Sequence, residues 1–233
     1  MIFLALDTST DRAAIGVEGR TGEVFAAATE TARRHGRDLI PRLKAALDAA
    51  GVKLRDVEFL AVGVGPGSYT GLRVGLMAAK TVAYATGAAL VGFDSLDGIA
   101  RNAPAGAQRI SVVADAQRGL LYVADYVCAT SGPPRCTRAT QIEPLATWLA
   151  RLEPGTLLMG PALDLPRIRT ALPTELNFAE SALNYPDGHH LIGLARELWT
   201  GGRRDDPWLL EPRYLRQSSA EEQWVARGTP RPD

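Results

Sequence analysis

Cysteine and histidine are scarce. The 233 residues hold two cysteines, Cys128 and Cys136, and three histidines, His35, His189 and His190. Two cysteines exclude a disulfide framework and suit a reducing compartment. The histidines form no H-x-x-x-H or H-E-x-x-H pattern, and neither cysteine has a nearby histidine, so no built-in metal site is expected. Charge of one sign is lacking too: Lys+Arg and Asp+Glu are both 26, for a formal net charge of zero. A domain that grips nucleic acid alone usually carries a basic excess. No stretch approaches the roughly 18–20 uninterrupted apolar residues of a membrane span. The opening, MIFLALDTSTDRAAIGV, has no basic n-region and an apolar run of only about five residues, so it reads as a strand rather than a signal peptide. A cytoplasmic location is the expectation. Low-complexity tracts are missing as well. With 46% hydrophobic and 22% charged residues the chain is neither disordered nor fibrous, and its length suits one large domain or two small lobes.

Hydrophobic patterning organises the chain. Ile2–Leu6, Ala13–Val17 and Val24–Ala28 read as three strands of an antiparallel meander, joined by the polar cluster Asp7-Thr8-Ser9-Thr10-Asp11 and a turn at 19–22. Arg33–Ala50 carries helical spacing through Leu39, Ile40, Leu43, Ala46, Leu47 and Ala50, with Gly51 as its stop. Phe59–Val64 is a continuous apolar run, as in a buried parallel strand. Glycine-rich GVGPGSYTG (63–71) follows, then a helix over Leu72–Thr86, a strand over Ala88–Phe93 and a short helix over Ser95–Asn102.

After the Pro/Gly stretch at 104–106 the pattern restarts. Strands are expected at Ile110–Ala114, Leu120–Val127, 136–142 and Thr156–Met159, with helices at 144–152 and Gly188–Thr200. Each half opens with a strand ending in aspartate (Asp7, Asp115), a turn and a second strand, so the second half repeats the first. The reading is an N-terminal lobe over 1–104, a C-terminal lobe over 105–216 and a loose tail over 217–233.

Gly65-Pro66-Gly67-Ser68-Tyr69-Thr70-Gly71 sits between a buried strand and a helix. Backbone N–H groups at such a junction can face an anion, with help from the helix dipole. It is not a P-loop, since no Gly-Lys-Ser/Thr follows, nor a nucleophile elbow. The alternative is a tight strand–helix turn capped by Ser68 or Thr70. Asp7-Thr8-Ser9 could likewise hold a phosphate or a magnesium-bound water, or close a hairpin as an Asx turn. The helix over 72–86 has almost no polar face. Such a helix is buried on more than one side, under the second lobe or against a partner.

The segments LALDTSTDRAAIGV, RHGRDLIPRL, GVGPGSYTGLRVGLMAAKTVA, DAQRGLLY and EPRYLR, in this order and spacing, resemble the bacterial TsaB (YeaZ) family over residues 1–216. The resemblance implies an α/β, actin-like ATPase (ribonuclease H-like) fold with two lobes of related topology. It implies a non-catalytic subunit of the machinery that makes N6-threonylcarbamoyladenosine in tRNA. Such a subunit binds the paralogous TsaD-type transferase as a heterodimer, with a TsaE-type ATPase as third partner, and meets tRNA only through the complex. The transferase carries an H-x-x-x-H metal motif after the corresponding strand; Ser95 and Ile99 fall at those positions here, so no catalytic residue and no metal are expected.

In the family the two helices equivalent to 33–50 and 70–86 pack on the partner's equivalents. Leu39, Ile40, Leu43, Leu47, Leu72, Arg73, Leu76, Met77, Lys80 and Tyr84 are the residues expected at that interface, which could also serve a homodimer. Replacing Leu76 or Met77 by Asp should disrupt it. Asp7, Thr8, Ser9, Gly65, Gly67 and Ser68 would be degenerate nucleotide loops, with ATP or ADP bound weakly or only at an interface of the complex. Leu120 stands where the family has an acidic residue. The competing readings are an independent ATP-dependent kinase or ATPase of the same fold, and a peptidase, for which the sequence offers no triad or metal motif.

Overall fold

The structure, a computed structural model, describes residues 1–29, 35–129 and 132–216. The expected tail over 217–233 and the expected helix start at 33–34 lie outside the described residues.

Two five-stranded sheets carry the fold. In the first, β1 (Phe3–Asp7), β2 (Ala14–Glu18), β3 (Val24–Ala28), β4 (Phe59–Gly63) and β5 (Ala89–Phe93) lie in the order β3-β2-β1-β4-β5. The first three pair antiparallel through short turns. β1, β4 and β5 pair in parallel, and parallel neighbours need long crossovers. Those crossovers are α1 (His35–Ala49) and α2 (Tyr69–Thr86).

The second sheet repeats the plan. β6 (Arg109–Gln117), β7 (Leu120–Val127), β8 (Arg135–Pro144), β9 (Leu157–Met159) and β10 (Asn177–Phe178) lie in the order β10-β9-β6-β7-β8. β8, β7 and β6 pair antiparallel, while β6, β9 and β10 pair in parallel. Its crossovers are abbreviated to α4 (Leu145–Ala150), α5 (Pro166–Arg169) and single 3-10 turns. This doubled arrangement is the actin-like, ribonuclease H-like fold with two related lobes. Among the described residues no helix is long and apolar enough to cross a membrane.

Period-two alternation splits each central strand between two cores. In β1, Leu4 and Leu6 face α1 and α2, while Phe3 and Ala5 face α6 (Gly188–Thr200). Phe3, Phe59 and Trp199 meet edge to face on the α6 side, with centroids 5.2–6.4 Å apart. In β6, Ile110, Val112, Ala114 and Ala116 face α3 (Ser95–Ala100), and Val113 faces the fully buried Trp148 of α4.

The continuous division into 1–104 and 105–216 needs correction in space. α6, counted with the second lobe by sequence, packs on the first sheet, because Leu191, Ile192, Leu194 and Ala195 need the apolar underside of β1, β4 and β5. Gly16 permits its close approach: a Cβ there would strike the Gly188 backbone. Conversely α3, counted with the first lobe, covers the second sheet.

Candidate functional site

Two surfaces result: the cleft between the lobes and the outer face of α2. The first is built on the turns that follow β1 and β6. Asp7 Oδ1 accepts from the Ser9 amide at 2.8 Å and from Ser9 Oγ at 2.6 Å. Asp115 Oδ1 accepts from the Gln117 amide at 2.7 Å. The two halves thus repeat down to the same Asx turn. Gln117 and Arg118 hold left-handed φ values of 65° and 51° ahead of Gly119, the geometry of a tight hairpin, and one that branched side chains avoid.

The cleft has a volume of about 690 Å³, with Ser9, Gly67, Ser68, Asp115, Gln117 and Tyr185 among its walls. Leu72, Leu96 and Ile99 give it apolar lining. Burial raises the Tyr185 phenol to about 12, and Arg12 stacks over that ring at 4.1 Å. Arg167 pairs with Asp115.

The glycine loop forms a tight strand–helix turn. Ser68 caps α2, its Oγ accepting from the Gly71 amide at 3.2 Å. Ser68 N donates to the Ser9 carbonyl at 2.7 Å, and Thr8 Oγ1 donates to the Gly71 carbonyl at 2.7 Å. A Cβ on Gly63 would overlap Asp7; on Gly67, Ser9; on Gly71 or Gly75, Thr8. Glycine at every fourth position from 63 to 75 therefore lets residues 7–9 lie directly on the loop and on the first turns of α2. Each of these glycines is required by chain packing, whatever else approaches the loop. Gly65, with φ 106°, makes the bend. Ser95 Oγ accepts from the Gly65 amide at 3.2 Å, and Ile99 is fully buried.

α2 begins three residues before its first expected position because Ser68 caps it, and it ends where Gly87 turns left-handed at φ 75°. The ten residues expected at an interface divide sharply. Leu39, Leu43, Leu47, Leu72 and Leu76 are internal, all at 6% exposure or less; all but Leu72 lie in the core between α1, α2 and the first sheet, and Leu72 lies under the cleft. Their expected outward role is corrected by that packing: helical spacing marks an apolar stripe, and here the stripe is the one the sheet covers. Ile40, Met77 and Tyr84 are exposed at 57%, 61% and 79%. Arg73 is exposed and Lys80 half-buried.

Residues from the C-terminal stretch complete this outer face, and sequence reasoning missed them. Trp208 and the adjacent Leu209 are each 77% exposed, and the Trp208 ring lies 6.0 Å from Tyr84 of α2. Tyr214 stacks on Tyr69 at 4.7 Å. Arg73 Nε donates to Tyr214 Oη at 2.9 Å, its guanidinium lying 4.1 Å over the Tyr69 ring. The Tyr214 hydroxyl, foremost among these contacts, holds the guanidinium above its usual range. The signal available was compositional: W-L-L-E-P-R-Y-L carries five large apolar or aromatic side chains in a proline-containing segment with no helical or strand period.

Comparisons with known proteins agree with this architecture. The family described as TsaD, tRNA N6-adenosine threonylcarbamoyltransferase, matches residues 26–132. An uncharacterized protein of Mycobacterium tuberculosis is 31% identical over 94% of this chain and 93% of its own. The tRNA threonylcarbamoyladenosine biosynthesis protein TsaB of Bacillus subtilis is 28% identical over 97% of this chain and 98% of its own. The solved structure of YeaZ from Pseudomonas aeruginosa superposes with a TM-score of 0.79 at 25% identity, covering 92% of this chain and 99% of that one. With relatives matched end to end, the same doubled sheet and the signature segments in place, the chain belongs to the TsaB (YeaZ) family.

Proposed function

We propose that this protein is a non-catalytic subunit of the machinery that makes N6-threonylcarbamoyladenosine in tRNA, and that it binds and activates a TsaD-type transferase through the outer face of α2. The observation that carries the reading is the exposed pair Met77 and Tyr84 on α2, extended by Trp208 against Tyr84, with Ile40 exposed on the neighbouring α1. Large apolar side chains gathered on one face mark an interaction site. The match to the TsaD family over residues 26–132 spans α1 and α2, so a transferase of that family would present a related helical face. A TsaE-type ATPase would join the pair. Contact with tRNA would be made by the complex, and a homodimer would use the same face.

The chemistry is assigned to the partner. Ser95 and Ile99 offer no imidazole where the transferase family carries its metal-binding histidines, and a serine hydroxyl and an alkyl chain are poor replacements for that ligand type. ATP or ADP would bind weakly or at an interface of the complex, since Gly67, Gly71 and Gly75 seat Thr8 and Ser9. The cytoplasm, where tRNA is modified, is the proposed location.

The test is reconstitution: synthase, transferase and TsaE-type ATPase on a cognate tRNA, with and without this chain. Modification that depends on adding the chain supports the reading. Equal modification without it overturns the reading. The kinase or ATPase alternative draws on the inter-lobe cleft; it requires the isolated chain to bind and turn over ATP, and a flat calorimetric titration at high ATP removes it.

A further inference from the structure

Residues 203–216 cross from one lobe to the other without regular secondary structure, and several of their polar contacts tie distant parts of the molecule together. The first stretch seals the edge of the first sheet. Asp205 N donates to the Leu90 carbonyl at 2.8 Å, Gly92 N donates to Asp205 Oδ2 at 2.7 Å, and Arg203 Nη2 donates to the Gly92 carbonyl at 3.0 Å. Leu210 lies over Gly92, where the missing Cβ makes room.

The second stretch turns across the cleft. Arg213 N donates to the Val64 carbonyl at 2.7 Å. Arg213 Nη1 meets Asp94 Oδ2 at 2.8 Å, and the same carboxylate oxygen accepts from Thr140 Oγ1 of β8 at 2.7 Å. One half-buried carboxylate oxygen therefore joins the first lobe, the second sheet and the strap. Tyr214 then stacks on Tyr69 and accepts from Arg73. Leu215 packs on the core of the second sheet, and Arg216 donates to the Ala116 carbonyl of β6. Arg213, Tyr214 and Arg216 all line the inter-lobe cleft.

We propose that residues 203–216 form a strap that couples the outer face of α2 to the inter-lobe cleft, latched by the Asp94–Arg213 pair, so that a transferase seated on α2 also sets how the two lobes close. The inference rests on the partner reading above and adds to it a route by which binding is felt in the cleft. Coupling of this kind requires an element that touches both sites and has more than one arrangement. Tyr214 touches both: one ring forms part of the partner face and part of the cleft wall.

Asp94→Asn isolates the latch. Asparagine caps a helix as well as aspartate, so the bond from the Leu96 amide at 2.9 Å is kept, and Thr140 can reverse its hydroxyl; the ionic bond to Arg213 is lost. Arg213→Gln breaks the latch from the other side and guards against a folding defect in the first variant. Hydrogen exchange of the free chain should accelerate about tenfold or more at the Asp205 and Arg213 amides, with β1 and β4 unchanged, as local opening differs from global unfolding. Affinity for the TsaD-type transferase, titrated directly, should fall several-fold in both variants, although neither residue is among the apolar side chains of the face.

Unchanged exchange at 205–213 overturns the latch. Wild-type affinity in both latch variants, with affinity lost in Met77→Asp, overturns the coupling and leaves the partner reading standing. Failure of the wild-type chain to bind the transferase overturns the partner reading and the coupling together, while the exchange data still judge the latch.

Discussion

Leu76 and Met77 are neighbours in sequence and opposites in space, and the same substitution at each separates folding from binding. Leu76 is 4% exposed within the core of the first lobe, whereas Met77 is 61% exposed on the outer face of α2. Leu76→Asp removes a buried side chain that contributes about 2–3 kcal/mol. It also places a carboxylate with no partner among Leu39, Leu43 and Leu60, at a further 3–5 kcal/mol or so. Domains hold only about 5–15 kcal/mol in total, so this variant should unfold or melt far below the wild type. Met77→Asp puts the carboxylate in water and should change stability by no more than about 0.5 kcal/mol. Against a transferase it would trap an unpaired charge in the contact, which lowers affinity by about 2–5 kcal/mol, or thirty-fold and more. Thermal unfolding by circular dichroism and titration calorimetry with the transferase read the two effects. A Met77→Asp chain that folds and binds with wild-type affinity would refute the assignment of this face. A Leu76→Asp chain with wild-type stability would refute the description of the core.

Other outcomes follow from the same geometry. Gly71→Ala should lose about 1–3 kcal/mol in urea unfolding, because the new Cβ meets the Thr8 backbone and overpacking outweighs the gain of roughly 1 kcal/mol in helix propensity; a more stable variant would count against the packing role of the glycine row. Trp148→Phe removes the bond from Nε1 to Ser111 Oγ at 2.9 Å and should destabilise the second lobe by about 1–2 kcal/mol, read as a lower denaturation midpoint. Burial raises Asp94 from 3.8 to about 6, partly offset by Thr140. The folded state therefore holds this proton more tightly than the unfolded one, and stability rises as pH falls through 6 toward 4. Relative to Asp94→Asn, the wild type should gain on the order of 2 kcal/mol between pH 7 and pH 4; a difference that stays constant with pH would refute the assignment.

Much of this molecule follows from local rules. β3, β7 and α6 begin and end where their patterns and turns place them, because alternating or 3.6-period apolar residues bounded by glycine or a capping aspartate leave the backbone little choice. The repeat of the two halves is legible in the sequence at Asp7 and Asp115. β10, with two residues, and the 3-10 turns around it are not, since so short a strand exists only because β9 offers a partner. Periodicity also names an apolar stripe without saying what covers it. Leu39, Leu43 and Leu76 belong to the core and Met77 and Tyr84 to the surface because the first sheet lies under one side of α1 and α2, whereas the other side of α2 is only bordered by Trp208 and Tyr214. The exchange of α3 and α6 between lobes, and the meeting of Trp208 and Tyr214 with Tyr84 and Tyr69 across more than a hundred residues, arise from the same cause. They are contacts between segments that no local pattern relates, chosen by the tertiary structure once each apolar face has found the one surface that can bury it.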